Sequence, residues 1–140
     1  MLVKLNAYKP ERIKIHINRS DTFDLDFTLA HIIYPALKIL KESKHGAPNV
    51  AKEDVPPRLW PPKNFDPSLG DIDENWFARW DWVLDEMIWA FGQKAYADGG
   101  WDLVDESAPT QEKYLLQQAY EDRMQRAFDL FGRYYQCLWS

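Results

Sequence analysis

Trp76–Phe91 reads WFARWDWVLDEMIWAF and contains four tryptophans and two phenylalanines. At about 100° per residue this run predicts a helix with two apolar stripes rather than one. The broad stripe consists of Trp76, Phe77, Trp80, Val83, Leu84, Met87, Ile88, Phe91 and Ala95. The narrow stripe, nearly opposite, consists of Ala78, Trp82, Trp89 and Tyr96. Because one apolar face packs on one core, the narrow stripe requires a second partner: another element of the chain, another copy, or a different molecule.

Two further helices flank this one, so we predict helices at about 22–44, 72–97 and 110–138. In the first, Leu29, Ile32, Ile33, Ala36, Leu37 and Leu40 recur at helical spacing. Pro35 lies inside that pattern and should bend the helix or split it near Ile32, because proline lacks the amide hydrogen. Gly99 and Gly100 end the second helix, and Thr110 is the expected cap of the third.

The N-terminal region predicts a strand. From Arg12 to Asn18 the residues alternate strictly, with Ile13, Ile15 and Ile17 on one face, which indicates a strand with one buried face. Leu2–Leu5 could pair with it, with Asn6–Glu11 as the turn, giving a hairpin over residues 2–18. If that pairing fails, a strand of a second subunit is the next candidate, since a lone strand leaves backbone groups unpaired.

Residues 45–70 have a different composition from the rest of the chain. They contain Pro48, Pro56, Pro57, Pro61, Pro62 and Pro67, and the stretch is longer than a usual loop. Trp60 and Phe65 could anchor it, so we expect an ordered wrap across the surface. The prediction is one mainly α domain over residues 1–140, three helices with an N-terminal strand or hairpin, or α+β if the hairpin pairs.

Composition limits the partners and the compartment. The net charge of −5 argues against binding to nucleic acid or to an anionic membrane through electrostatic attraction. Cys137 is the single cysteine, so neither an internal disulfide nor a thiolate zinc cluster can form. The N-terminus lacks a secretory signal, and no apolar run approaches the roughly 18 residues of a membrane span. We therefore expect a soluble, intracellular protein.

A metal site is the strongest chemical alternative. Asp81 and Asp85 lie one helical turn apart beside Glu86, and two such carboxylates can converge on one Mg²⁺. A carboxylate of the third helix, such as Glu121, could complete the site. All-helical nucleotide pyrophosphohydrolases gather carboxylates in this way, but their Glu-x-x-Glu and Glu-x-x-Asp patterns are absent here. The favoured interpretation is that these acidic residues are solvated, with no cofactor.

No motif for nucleophilic catalysis or phosphate binding is present, so no catalytic residue is assigned. The narrow stripe suits a protein interface better, because tryptophan and tyrosine are enriched at interface centres. We expect Trp82, Trp89 and Tyr96 to dock another protein or a second copy, giving a homo-oligomer.

Four segments resemble a family of small uncharacterised proteins of tailed marine phages, including those that infect cyanobacteria. They are KHGAPNV (residues 44–50), EDVP (53–56), RWDWVLDEMIWAF (79–91) and LFGRYYQCLW (130–139). The resemblance runs from about Ile13 to Trp139. It implies a viral protein that acts in the infected bacterial cytoplasm or in the virion, and no activity is assigned to the family. The resulting hypothesis is an accessory or structural protein, with a divergent metal-dependent nucleotide hydrolase as the alternative.

Overall fold

A computed structural model describes residues 1–4, 13–97 and 105–140. Within these ranges the chain forms a two-stranded hairpin followed by three α-helices. The strands are β1 (Leu2–Lys4) and β2 (Lys14–His16); the helices are α1 (Leu25–Ser43), α2 (Trp76–Tyr96) and α3 (Thr110–Arg133). The predicted fold class, mainly α with a short N-terminal hairpin and a Pro-rich wrapping segment, is confirmed.

The hairpin pairs β1 with β2 in antiparallel orientation. Val3 lies opposite Ile15, Leu2 opposite His16 and Lys4 opposite Lys14. Directly opposed residues share a face of the sheet, so Val3 joins the isoleucines, while both lysines lie on the other face. The predicted turn, residues 6–11, lies outside the described residues.

The isoleucines of β2 and its flanks are exposed, contrary to the prediction that this face is buried. Ile13, Ile15 and Ile17 are 41%, 57% and 56% exposed. The alternation identified the strand correctly, but alternation cannot say what covers it. The helices bury their apolar residues in a core shared with the Pro-rich segment, and the isoleucines are not part of that core.

Helix α1 runs unbroken through Pro35, so the predicted split near Ile32 does not occur. Packing compensates for the lost hydrogen bond, because α1 and α2 form the most extensive contact between helices of the described chain. The helix begins at Leu25 rather than near residue 22, since Arg19–Thr22 forms a 3₁₀ turn first.

The Pro-rich segment is an ordered wrap, as predicted. It contains three short 3₁₀ turns, Lys52–Asp54, Pro57–Leu59 and Pro67–Leu69. Its apolar residues Val50, Val55 and Leu59 are buried in the same core as the helices. Apolar burial therefore holds residues 50–59 against the helices where regular hydrogen bonding does not.

Helix α2 is the central helix, and both α1 and α3 pack against it. Its residues Trp80, Val83, Leu84 and Met87 are fully buried. It begins at Trp76 rather than near residue 72, and the upstream Asp73 side chain turns back toward the helix to bind the guanidinium of Arg79.

Arg79 forms a buried ion pair with Asp73 and also ties the Pro-rich segment to α2. Their side chains are 1% and 3% exposed, and Arg79 Nη1 also donates to the carbonyl of Leu59 at 3.0 Å. The Arg79 guanidinium holds the pKa of Asp73 below its usual range. Arg79 belongs to neither apolar stripe of the sequence pattern, so the pattern gave no indication of its burial.

Helix α3 ends at Arg133 rather than near residue 138, because Tyr135–Cys137 forms a 3₁₀ turn. At this end the buried Tyr134 hydroxyl donates to Asp54 at 2.6 Å and accepts from the amide of Ala51 at 3.0 Å. Burial and the Asp54 contact raise the pKa of Tyr134 to about 12. Among the described residues, no helix is both long and apolar enough to cross a membrane.

Candidate functional site

The narrow stripe of α2 is mostly covered by the chain itself. Trp89 lies edge-on to Tyr120, with ring centroids 5.6 Å apart, and the Arg123 guanidinium lies 3.8 Å from the Trp89 ring centroid. Trp82 is half-buried beside Leu130 in a small hollow at the other end of α3. The second partner of α2 is thus largely another element of the same chain, one of the three possibilities that the pattern left open.

Tyr96 is the exposed member of the proposed docking stripe. It is 67% exposed, and its ring packs edge-on against His31 and Tyr34 of α1. Trp82, Trp89 and Tyr96 therefore contact different neighbours and do not form one continuous exposed surface. Any docking through this stripe begins at Tyr96.

The four carboxylates of the metal hypothesis have cationic or amide partners, and Asp81 and Asp85 line one hollow beside Lys41 and Lys44. Asp81 pairs with Lys44 and Asp85 with Lys41, both at 2.5 Å. Glu86 binds Arg123 through two bonds of 2.8 and 3.0 Å, and Glu121 accepts from Gln117 at 3.0 Å. Over residues 1–4, 13–97 and 105–140, no group of three or more His, Cys, Asp or Glu side chains is placed to hold a metal. The ion pairs of Asp81, Asp85 and Glu86 connect α2 to the end of α1 and to α3.

A groove of about 620 Å³ lies where the start of α1, the end of α2 and the middle of α3 meet. We call it the acidic groove. Its α1 side carries Asp24, Asp26 and Phe27, and its α3 side carries Glu121 with Tyr120, Met124 and Phe128. A volume of this size holds a small ligand or a few side chains of a peptide.

Within the described part of the chain, the groove has unpaired acceptors. Lys94, its one basic residue, binds Asp26 at 2.5 Å, and this contact holds the pKa of Asp26 below its usual range. The side chain of Asp24 makes no capping hydrogen bond, although Asp24 precedes α1. Gln117 donates an amide hydrogen from Nε2 to Glu121. Its buried Oε1 is an acceptor without a donor. The groove is therefore suited to a ligand that carries donors or positive charge.

The hairpin is the second candidate surface, because it has an exposed apolar face and lysines without ion pairs among the described residues. One face, the isoleucine face, consists of Val3, Ile13, Ile15 and Ile17. The other has Lys4 directly opposite Lys14, and neither lysine makes an ion pair with any described residue. Like charges directly opposed across a strand pair are destabilising, so this face favours an acidic neighbour.

Sequence reasoning located the hairpin but missed the groove. The groove is built from three separate stretches, residues 24–27, 93–97 and 117–128, and its residues follow no local motif. The signal that could have indicated both surfaces is the charge distribution. Five basic residues and one acidic residue lie within positions 1–20, namely Lys4, Lys9, Arg12, Lys14, Arg19 and Glu11.

No protein-family model, curated protein or solved structure matches this chain.

Proposed function

We propose that this chain is a non-enzymatic accessory or structural protein of a tailed phage, which acts by associating with further copies of itself in the bacterial cytoplasm or in the virion. The resemblance of the segments between residues 44 and 139 to phage proteins supports the phage assignment. The exposed isoleucine face of the hairpin supports the association.

An isolated two-stranded hairpin is marginally stable in water and usually requires a further strand or a packing partner. Among the described residues no packing partner covers the isoleucine face, since Ile15 and Ile17 are more than half exposed. The sheet of the described residues has two strands, so each strand also presents one open edge. Docking of the hairpin onto another surface would bury the isoleucine face and give the open strand edges hydrogen-bond partners.

A second copy is the partner that the charges favour. Positions 1–20 are basic, whereas the whole chain carries −5, so the negative charge belongs to the remainder of the molecule. Two copies can thus attract each other through the hairpin of one and the body of the other. A partner with uniform charge would match one of these regions and repel the other.

The test is the oligomeric state of Ile15→Thr, measured by sedimentation velocity over a wide concentration range. Threonine keeps the β-branched shape that suits a strand, so the hairpin is retained while apolar area is lost. Removing a buried isoleucine from an interface costs about 1.5–3 kcal/mol, so association should weaken by roughly tenfold or more. The matched control is Ile72→Thr, which changes another exposed isoleucine outside the hairpin and should leave association unchanged.

Two results would contradict the proposal. One is a wild-type protein that sediments as a monomer at every concentration. The other is an Ile15→Thr variant that associates as strongly as the wild type.

A further inference from the structure

We infer that the acidic groove of one copy receives strand β2 of the next, so that copies join head to tail. This inference depends on the proposed self-association and identifies the surface that accepts the hairpin. The groove and the hairpin each carry charge without a counter-ion among the described residues, and their charges are opposite.

Electrostatic complementarity is the first argument. Lys14 faces Lys4 across the hairpin, and a nearby carboxylate would relieve that repulsion. The groove offers Asp24 and Glu121, while its one lysine, Lys94, is already bound to Asp26. A strand that enters the groove brings positive charge to carboxylates that have no cation among the described residues.

The alternation of β2 is the second argument, because successive side chains of a strand point to opposite sides. A strand entering edge-on therefore presents Lys14 to one wall and Ile15 to the other. The α3 wall carries Glu121 beside Met124 and Phe128, and the α1 wall carries Phe27 beside Asp24 and Asp26. With Lys14 toward the α3 wall, its ammonium can reach Glu121 while Ile15 lies against Phe27.

The open edge of β2 supplies the third argument. Backbone amides on an unpaired strand edge need acceptors. The buried Oε1 of Gln117 is an acceptor without a donor, and the bond from its Nε2 to Glu121 fixes its orientation. An amide of the incoming strand can satisfy this atom, which a purely apolar ligand could not do.

The resulting contact is heterologous, since it joins two different surfaces. Such contacts build rings when the rotation closes and open filaments when it does not. A symmetric pairing of two hairpins would instead stop at a dimer and would leave the groove unused. The two arrangements therefore differ in which variants abolish association.

The experiment uses two charge-reversal variants of the full chain, Lys14→Glu and Glu121→Lys. Lys14→Glu places a carboxylate opposite Lys4, so the hairpin itself should not be weakened. Glu121 is exposed on α3, and lysine and glutamate have similar helix propensities. The matched control is Asp122→Lys, an exposed neighbour on the same helix that does not line the groove and undergoes the same change of charge.

Each groove or hairpin variant alone should sediment as a monomer where the wild type associates, and Asp122→Lys should associate like the wild type. Mixed in equal amounts, Lys14→Glu and Glu121→Lys should associate again, because the unchanged hairpin of one variant meets the unchanged groove of the other, and the two reversed charges are also opposite in sign.

Three outcomes overturn the inference. If Glu121→Lys associates like the wild type while Lys14→Glu does not, the hairpin docks elsewhere, and the proposed self-association still stands. If the mixture stays monomeric, the groove does not accept the hairpin. A wild type that is monomeric throughout removes the proposed function as well.

Discussion

The buried pair of Arg79 and Asp73 shows how single residues hold the Pro-rich segment in place. Arg79 reaches the Asp73 carboxylate and the Leu59 carbonyl together, so one guanidinium connects the segment to α2. A buried ion pair has a large desolvation cost, and its two members depend on each other. The exposed pairs between α1 and α2 lack this dependence.

Arg79→Met should therefore be one of the most destabilising substitutions in the chain. It leaves the Asp73 carboxylate buried without a counter-charge, which costs about 3–5 kcal/mol of the free energy of unfolding. The control is Lys41→Met, which breaks the more exposed pair with Asp85 and should cost about 0.2–1 kcal/mol. Urea denaturation measures both, and equal losses would show that the buried pair has no special role.

Tyr134 predicts a loss of stability at alkaline pH. Its pKa is about 12 in the folded chain, above the value near 10 for an unfolded tyrosine. The fold therefore favours the neutral phenol, so this contribution is complete below about pH 10 and is lost as the pH rises through about 12. Denaturation measured between these pH values should show the loss. It should be smaller in Tyr134→Phe and unchanged in Tyr135→Phe, since Tyr135 is 64% exposed.

At the scale of elements, the approach of α1 to α2 depends on Gly92. A Cβ placed there would lie 2.8 Å from Cε2 of the Tyr34 ring, closer than real Cβ contacts. Glycine inside a helix costs about 1 kcal/mol relative to alanine, so this position gives up helix propensity for close packing. A Cβ added at Gly132 in α3 would have no neighbour within 4 Å, so glycine is not needed there for close packing.

The two glycines should consequently respond with opposite sign to the same substitution. Gly92→Ala should lower the melting temperature, because Tyr34 must move away from α2. Gly132→Ala should raise the stability by up to about 1 kcal/mol, since only the helix-propensity term remains. Thermal unfolding followed by circular dichroism tests the pair. A stabilised Gly92→Ala would mean that the Tyr34 ring adjusts without loss.

Periodicity predicted which segments are helices and strands. It did not predict where the helices begin or which residues pack over each apolar face. The i, i+3, i+4 spacing in α1 and the two stripes of α2 correctly indicated helices. Their first turns shifted by about three or four residues, because a 3₁₀ turn precedes α1 and the Asp73 side chain binds Arg79 ahead of α2. The buried face predicted for Ile13, Ile15 and Ile17 was wrong, since periodicity shows that one face is apolar without showing what lies over it.

The candidate sites were also only partly predictable from the sequence. The pattern correctly placed Asp81 and Asp85 one helical turn apart, but it could not identify Lys41 and Lys44, which bind them from a distant part of the sequence. The acidic groove escaped notice because three separate helices build it. The interface prediction for Trp82, Trp89 and Tyr96 remains a prediction, with Tyr96 as its exposed member.

For the whole molecule, the separation of charge is the dominant feature. The charge is divided along the sequence into a basic N-terminal region and an acidic remainder, and the proposed contact brings these opposite charges together. Attraction between partly exposed charges is screened beyond about 8–10 Å at physiological ionic strength. Assembly should thus depend on salt more steeply than the stability of the fold.

Raising the salt concentration from about 0.05 M to 0.5 M should weaken the association while changing the melting temperature of the monomer little, because the core is apolar. Sedimentation velocity and thermal unfolding on the same samples measure the two quantities. Association that strengthens with salt would instead indicate that apolar contact through the isoleucine face alone drives assembly.

The burial of α2 also affects which parts of this sequence can diverge during evolution. With α1 on one side, α3 on another and the Pro-rich segment across its start, α2 has few positions where a substitution touches solvent alone. Trp80, Val83, Leu84, Met87 and Ala90 are fully buried. Drift should accumulate on the outer faces of α1 and α3, while the stretch from residue 76 to 91 diverges slowest. Distant descendants of the same ancestor would then be recognised by this helix long after the rest of the sequence had diverged.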